Sequence, residues 1–348
     1  MDSVEQAMQQ YVLLQGVGDT TQLSEDLQVL REQLSIVYEY VIAKRKRLHV
    51  AVESAFGESF EEKKERLRDT SSHVAALQST DWDCVALIVK SNDDLRQEVL
   101  CQQIIRQLQD IFHSADLPLR LLPYEIIATS ASTGMIEYVK NAVSLDALKK
   151  RGNYTTLADH FLKTYGQTDS AAYKTAMTNF VRSMAAYSLA CYFLQIKDRH
   201  NGNIMIDSDG HVIHIDFGFI LGIAPGGRFS LETAPFKLTG EMVDAMGGTQ
   251  SDYFKAYVIF LIQGFLALQQ HADTILMMIA IMAQQSSCPC FLSQNPRDVL
   301  SATKQLFRLD YNQSQVIKHV ISLVRRSHSS YRTRQYDVFQ RMTNGILP

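Results

Sequence analysis

The chain has 348 residues, 46% of them hydrophobic and 20% charged, with a formal net charge of −3 and a pI near 6.4. That is enough apolar material for two lobes or domains with buried cores, and the acidic balance argues against a strongly basic nucleic-acid protein. Five cysteines, scattered at positions 84, 101, 191, 288 and 290, give no disulfide framework and suit a reducing, cytosolic setting. No charged amino-terminal stretch leads into an apolar core, so no secretory signal is expected. The apolar runs 256–262 and 275–283 are interrupted by Gln263, Gln269, Gln270, His271 and Asp273, well short of the ~20 residues of a spanning helix. They read as buried helices.

Residues 1–53 read as a helical extension. Leu23, Leu27, Leu30, Leu34, Val37, Val41 and Leu48 follow a 4-3 alternation interrupted at Lys44. The seam, over residues 23–48, fits another helix, either of the same protein or of a helical protein partner. Lys44-Arg45-Lys46-Arg47 reads as a solvated helix end. In the next region, Cys84 to Val89 is a β-branched run ending in Lys90, and Asp93 or Asp94 caps a helix whose apolar positions are Leu95, Val99, Ile104, Ile105 and Leu108. Glu98 falls about one turn into that helix, within reach of the strand end. Tyr124 to Ile127 is a further apolar strand, and Gly134-Met135-Ile136-Glu137-Tyr138-Val139 follows it. From about 140 onward helices dominate, and one between about Ala171 and Gln195 supports what comes next on a rigid element. Cys288-Pro289-Cys290 has no second ligand pair at a useful spacing and reads as buried or loop thiols rather than a zinc site.

The chemistry is concentrated in Asp198-Arg199-His200-Asn201-Gly202-Asn203 and Ile213-His214-Ile215-Asp216-Phe217-Gly218. Asp198 and Asn203 keep the D-x-x-x-x-N interval of a kinase catalytic loop, in which the Asp meets the attacking hydroxyl and the Asn holds a metal ion. Between Asn203 and Asp216 the chain predicts a hairpin. Ile204 to Ile206 and His211 to Phe217 are its strands, and Asp207-Ser208-Asp209-Gly210 is its turn. The hairpin brings Asn203 and Asp216 to one end, as two hard oxygen donors suited to Mg²⁺, with Mn²⁺ as an alternative.

The order D-R-H, in place of the H-R-D of protein kinases, resembles the phosphatidylinositol 3-/4-kinase superfamily, and the N-G-N that follows is most similar to its phosphatidylinositol 4-kinases. Val89 to Glu98, Leu122-Pro123-Tyr124, Gly134-Met135-Ile136-Glu137, Phe236-Lys237-Leu238-Thr239 and Met246-Gly247-Gly248 all fit the type III beta subtype. So does the tail, Tyr336-Asp337-Val338-Phe339-Gln340 with Thr343-Asn344-Gly345-Ile346. The similarity runs over roughly residues 54 to 348. It implies an α+β, bilobal kinase-like fold. Residues 1–53 would be a helical extension or insertion remnant, 54–137 a small, incomplete, β-containing N-lobe, and 138–348 a large, mainly helical C-lobe.

The resemblance also implies a reaction and assigns roles. The reaction is ATP-dependent phosphorylation of the 4-hydroxyl of phosphatidylinositol, by a cytoplasmic protein peripheral on membranes, those of the Golgi in particular. For ATP the residues are Lys90 on the phosphates, Glu98 fixing Lys90, Tyr124, the backbone of Glu137 and Val139 against adenine, and Ile215 beneath the base. Asn203 and Asp216 take the metal. Asp198 and His200 form the catalytic pair, in which Asp198 orients the site and His200, with an ordinary pKa near ~6.5, helps remove the proton. Between Gly222 and Leu238 the only basic residues are Arg228 and Lys237, beside acidic Glu232, which suits a lightly charged lipid. Lys197 adds a point charge for a phosphate. Arg332, Arg334, Tyr336, Phe339, Arg341, Met342, Ile346 and Leu347 mix basic, aromatic and apolar character as an interfacial helix does.

One departure stands against the family pattern. Residues 1–79 contain no counterpart of the initial strand pair and phosphate-covering loop, and Gly57 stands alone, so the expectation is a chain that begins inside an insertion, as a fragment. Two competing functions follow: a protein kinase of the related large-kinase branch, and an inactive scaffold that binds partners.

Overall fold

The computed structural model describes residues 25–72, 82–227, 230–328 and 330–348, the first ten of these by backbone alone. Packing divides the chain into a unit Met1–Ala55 and a unit Phe56–Pro348. The described part of the first is helix α1 (Glu25–Phe56), whose last residue already belongs to the second. Of the seam over 23–48, Leu23 lies outside the described residues; Val37 is exposed, as are Ile36 and Tyr40, while Val41 and Leu48 are half-buried.

The second unit begins with α2 (Phe60–Thr70), closed by a capping box in which Ser59 and Glu62 satisfy each other's backbone N–H groups. There follow β1 (Leu87–Ser91), α3 (Arg96–Ser114), β2 (Ile126–Ala128) and β3 (Thr133–Glu137). The three strands form an antiparallel sheet in the order β1-β3-β2, with Met135 opposite both Val89 and Ile127. Leu100, Ile104, Leu108 and Ile111 recur at helical spacing and are buried, so α3 presents one apolar stripe to the core. Gly134 permits a close approach, since a Cβ there would lie 2.6 Å from both the Ile127 carbonyl and Leu95 Cδ1. Leu95, not an aspartate, occupies the N-cap position; Asp94 instead accepts the Arg96 N–H at 3.1 Å. The expected strand at Tyr124 starts two residues later, at Ile126.

The rest is mainly helical. β4 (Ala142–Ser144), α4 (Leu145–Lys149), α5 (Leu157–Tyr165) and α6 (Ala171–Phe193) precede the hairpin β5 (Ile204–Asp207) and β6 (Val212–His214). The second sheet has the order β4-β5-β6, with Ile204 opposite His214. The hairpin is present, but its returning strand is shorter than expected, stopping at His214 rather than Phe217; β4, at three residues, carries too short a pattern to announce itself. Gly210 turns it at φ +88°, and its bare Cα lets the turn rest on α6, where a Cβ would lie 2.7 Å from the Ala176 carbonyl. Next come α7 (Gly240–Ala245), α8 (Asp252–Gln270), α9 (Ala272–Ala283), α10 (Pro289–Leu292), α11 (Pro296–Leu306), α12 (Gln313–Ser327) and α13 (Tyr331–Asn344). Helix α6 is buried almost all round and packs along α8, so the loop that leaves its C-terminus starts from a well-packed element. No single described helix is long and apolar enough to cross a membrane.

Candidate active site

In the loops that flank the β5–β6 hairpin, Asp198 has a left-handed backbone at φ +63° and Asp216 one at φ +60°. Aspartate tolerates this region better than most residues, but it needs outside support. Arg199 supplies it. Its buried guanidinium donates to the carbonyls of Ile215 at 2.8 Å and Asn203 at 3.3 Å, and also to that of Asp216. Its Nε donates to the Lys197 carbonyl at 2.9 Å, and its plane lies over the Phe217 ring at 5.6 Å. One cation thus ties the 198–203 loop to the 215–217 segment. The Asp198 and Arg199 N–H groups both donate to the carboxylate of Glu232, the second at 3.0 Å.

Asn203 is buried, and its Nδ2 donates to the Asp198 carbonyl at 3.0 Å. Its Oδ1 is therefore the atom left to accept or coordinate. Asp216 receives the Gly218 N–H on Oδ1 at 3.3 Å, which leaves Oδ2. Both residues line a cavity of about 340 Å³ between the two small sheets. Lys90, Glu98, Tyr124, Glu137, Val139 and Ile215 line it too. The structure therefore gathers every residue expected at nucleotide or metal around one space. Tyr124 stacks on Phe217 at 6.5 Å. At the β3 exit the Glu137 and Tyr138 N–H groups are taken, by the Glu125 carbonyl at 2.8 Å and the Ala86 carbonyl at 3.1 Å. Among the described residues the Val139 N–H has no such acceptor.

Lys90 and Glu98 differ from the expected pair. The Lys90 ammonium lies 3.6 Å from Asp93, not on Glu98. Burial, then the charges of Asp216 and Asp93, push the Glu98 carboxyl up to about 7, against the pull of Lys90. Lys90 stands instead beside the solvated Asp93.

His200 accepts the Gly202 N–H on Nδ1 at 3.1 Å, and its Nε2 stands 3.8 Å from Asp198 Oδ1. Burial holds its pKa below the ordinary histidine value, opposed by Asp198. A neutral ring with Nδ1 accepting carries its proton on Nε2. The same oxygen of Asp198 meets α13: the Tyr336 hydroxyl donates to Oδ1, with Gln340 Nε2 at 3.4 Å.

Two expected substrate contacts are corrected. Lys237 is buried in an ion pair with Asp337 at 2.7 Å, its side chain only 2% exposed, so it faces no head group. Lys197 donates to the Ala234 carbonyl at 2.9 Å, so its ammonium is turned to the segment after Asp216 and does not stand free for a phosphate. Arg228 lies outside the described residues. Sequence reasoning also missed positions. Arg199 stood inside the motif and was readable from it, whereas Glu232, Gln97, Tyr336 and Gln340 act through partners far along the chain.

Comparison with known proteins gives the same direction. The sequence model of the family described as phosphatidylinositol 3- and 4-kinase matches residues 84–292. Phosphatidylinositol 4-kinase beta 1 of Arabidopsis thaliana is 44% identical over 296 residues, 84% of this chain and 26% of its own length. Phosphatidylinositol 4-kinase beta of Xenopus tropicalis is 43% identical over 293 residues, 84% of this chain and 35% of its own. The relative of the same name in Sorex araneus is 42% identical, with 84% and 36% covered. The chain thus spans about a quarter to a third of the length of these curated relatives.

Proposed function

Since the chain belongs to the phosphatidylinositol 3- and 4-kinase family, we propose that it carries the catalytic region of an ATP-dependent phosphatidylinositol 4-kinase. The observation that carries this reading is that Asn203 and Asp216 line one cavity with Lys90, with Asp198 on the adjoining loop. The donor set fits a hard divalent cation, Mg²⁺ or Mn²⁺, held by Asn203 Oδ1 and Asp216 Oδ2. Such an ion, when bound, neutralises charge on the phosphate oxygens.

The protein's own residues do the rest. Val139 N–H meets the adenine edge, with the Glu137 backbone beside it and Ile215 and Tyr124 as apolar walls. Lys90 leaves the solvated Asp93 for the nucleotide phosphates. Asp198 accepts the inositol 4-hydroxyl proton on Oδ2. His200, with its proton on Nε2, acts as a donor beside the transferring group, because accepting a proton there requires giving up the Gly202 N–H. This divides the pair differently from the sequence expectation. The acceptor is a lipid, so the protein works peripherally at a membrane; the cytoplasmic face of the Golgi follows from the family resemblance.

The test is transfer of the ATP γ-phosphate to phosphatidylinositol vesicles, with the product identified as the 4-phosphate. Positioning contributes about 7–11 kcal/mol and a general base ~10²–10⁴ in rate. Asp198→Asn is expected to lower turnover ~10²–10⁴-fold and His200→Ala by less. Labelling of protein in preference to lipid moves the reading to the large-kinase branch. Failure to bind Mg·ATP leaves a scaffold.

A further inference from the structure

We propose that Gln97 is a positioning residue for the metal ligand Asp216, holding the segment that follows it against both α3 and α10; the inference rests on the kinase reading above. Gln97 is the second residue of α3, a place where polar side chains usually face solvent. Here it is only 2% exposed. Its Nε2 donates to the Gly218 carbonyl at 2.6 Å and the Phe217 carbonyl at 3.2 Å, and its Oε1 accepts the Cys290 N–H at 2.9 Å. Both donors and the acceptor are used, on backbone groups 120, 121 and 193 positions away.

The geometry gives those bonds a purpose. Arg199 holds the Asp216 carbonyl from the loop side, and Gln97 holds the next two carbonyls from the α3 side. A left-handed residue clamped before and after has its Cα–Cβ direction fixed, so the carboxylate always starts from one place. The Cys290 bond extends the clamp into the large lobe, where Gln294 donates to the Leu221 carbonyl at 3.0 Å and the Cys290 carbonyl at 3.2 Å. A primary amide meets all three groups, since its two N–H donors serve the two carbonyls while its oxygen accepts the N–H. Glutamate keeps the Cys290 bond but sets an oxygen against two carbonyls; methionine keeps the volume and loses all three bonds.

Residues that orient metal ligands typically change metal affinity by 10–100-fold. The experiment measures Mn²⁺ binding to the full chain with a non-hydrolysable ATP analogue, by the loss of the free-ion EPR signal, alongside affinity for the analogue in EDTA. Gln97→Met is expected to weaken Mn²⁺ binding about 10–100-fold, with metal-free analogue affinity unchanged. Gln97→Glu, which keeps one bond, is expected to do the same and carries the test if the methionine variant does not fold. Unchanged Mn²⁺ affinity in a folded variant overturns the proposal. So does an equal loss of metal-free affinity, or failure of both variants to fold, since Gln97 is then a general structural support. If the unaltered chain binds no Mn²⁺ with the analogue, the kinase reading itself falls and takes this inference with it.

Discussion

The tail engages one carboxylate oxygen of Asp198, which on the kinase reading proposed above leaves the other for the reaction. The Tyr336 hydroxyl donates to Oδ1, and Gln340 Nε2 supports that hydroxyl at 2.6 Å. Burial, and then the hydrogen bond to Asp198, push the Tyr336 pKa up, so the hydroxyl stays a donor across the working range. On the proposed reading its role is to point Oδ2 at the acceptor. Hydrogen bonds to charged groups are worth ~1.5–3 kcal/mol. Tyr336→Phe is therefore expected to lower kcat about 10-fold or more, while KM for ATP stays put, since Tyr336 does not line the nucleotide cavity. Steady-state kinetics with both substrates varied checks this, and a change confined to KM for ATP contradicts it. At this scale Asp198, Asn203 and Asp216 were legible because kinase chemistry fixes their interval. Tyr336 was not, because nothing in its own surroundings says that it meets a residue 138 positions earlier.

Elements here are joined by buried polar contacts that local patterns do not announce. Lys237, in the segment after Asp216, and Asp337, on α13, form an ion pair with side chains 2% and 7% exposed. Sequence alone placed Lys237 at the substrate, since an isolated lysine in a loop is normally solvated and free. Its burial depends on a partner a hundred residues on. The hairpin was legible for the opposite reason: β5, turn and β6 are contiguous, and Asp207 to Gly210 has turn chemistry whatever surrounds it. Breaking one half of a buried pair costs more than losing the pair, because the remaining charge is desolvated. Lys237→Met is expected to destabilise the protein by ~3–5 kcal/mol, and Lys237→Met with Asp337→Leu to recover most of that. Chemical denaturation of the two variants measures it; a double variant as unstable as the single one excludes the unpaired charge as the cause.

On the scale of the Phe56–Pro348 unit, α13 has two faces with different duties. Tyr336, Asp337 and Gln340 face inward and serve Asp198 and Lys237. Tyr331, Val338, Phe339 and Met342 face outward, Met342 81% exposed, and with Leu231 and Arg334 they line an open groove of about 640 Å³. The mixed composition of the tail was readable from sequence, but its division into faces was not, because the apolar Tyr336 sits inside while the apolar Phe339 sits outside. The outward face, flanked by arginines, is the surface we expect to enter the lipid interface. Deleting residues 331–348 cannot test this, since the deletion also removes the support of Asp198 and the partner of Lys237. Changing Val338, Phe339 and Met342 together to serine leaves the inner face intact. Burying each such side chain is worth ~1.5–3 kcal/mol, so even half-buried in lipid the three would hold ~3 kcal/mol. That predicts vesicle binding weaker by roughly 100-fold, with turnover on a short-chain, monomeric phosphatidylinositol little changed. Sedimentation with anionic vesicles reads the first quantity and the soluble assay the second. Unaltered vesicle binding assigns the outward face to something other than a membrane, whereas equal losses in both assays mean that the substitutions have reached Asp198 through the helix.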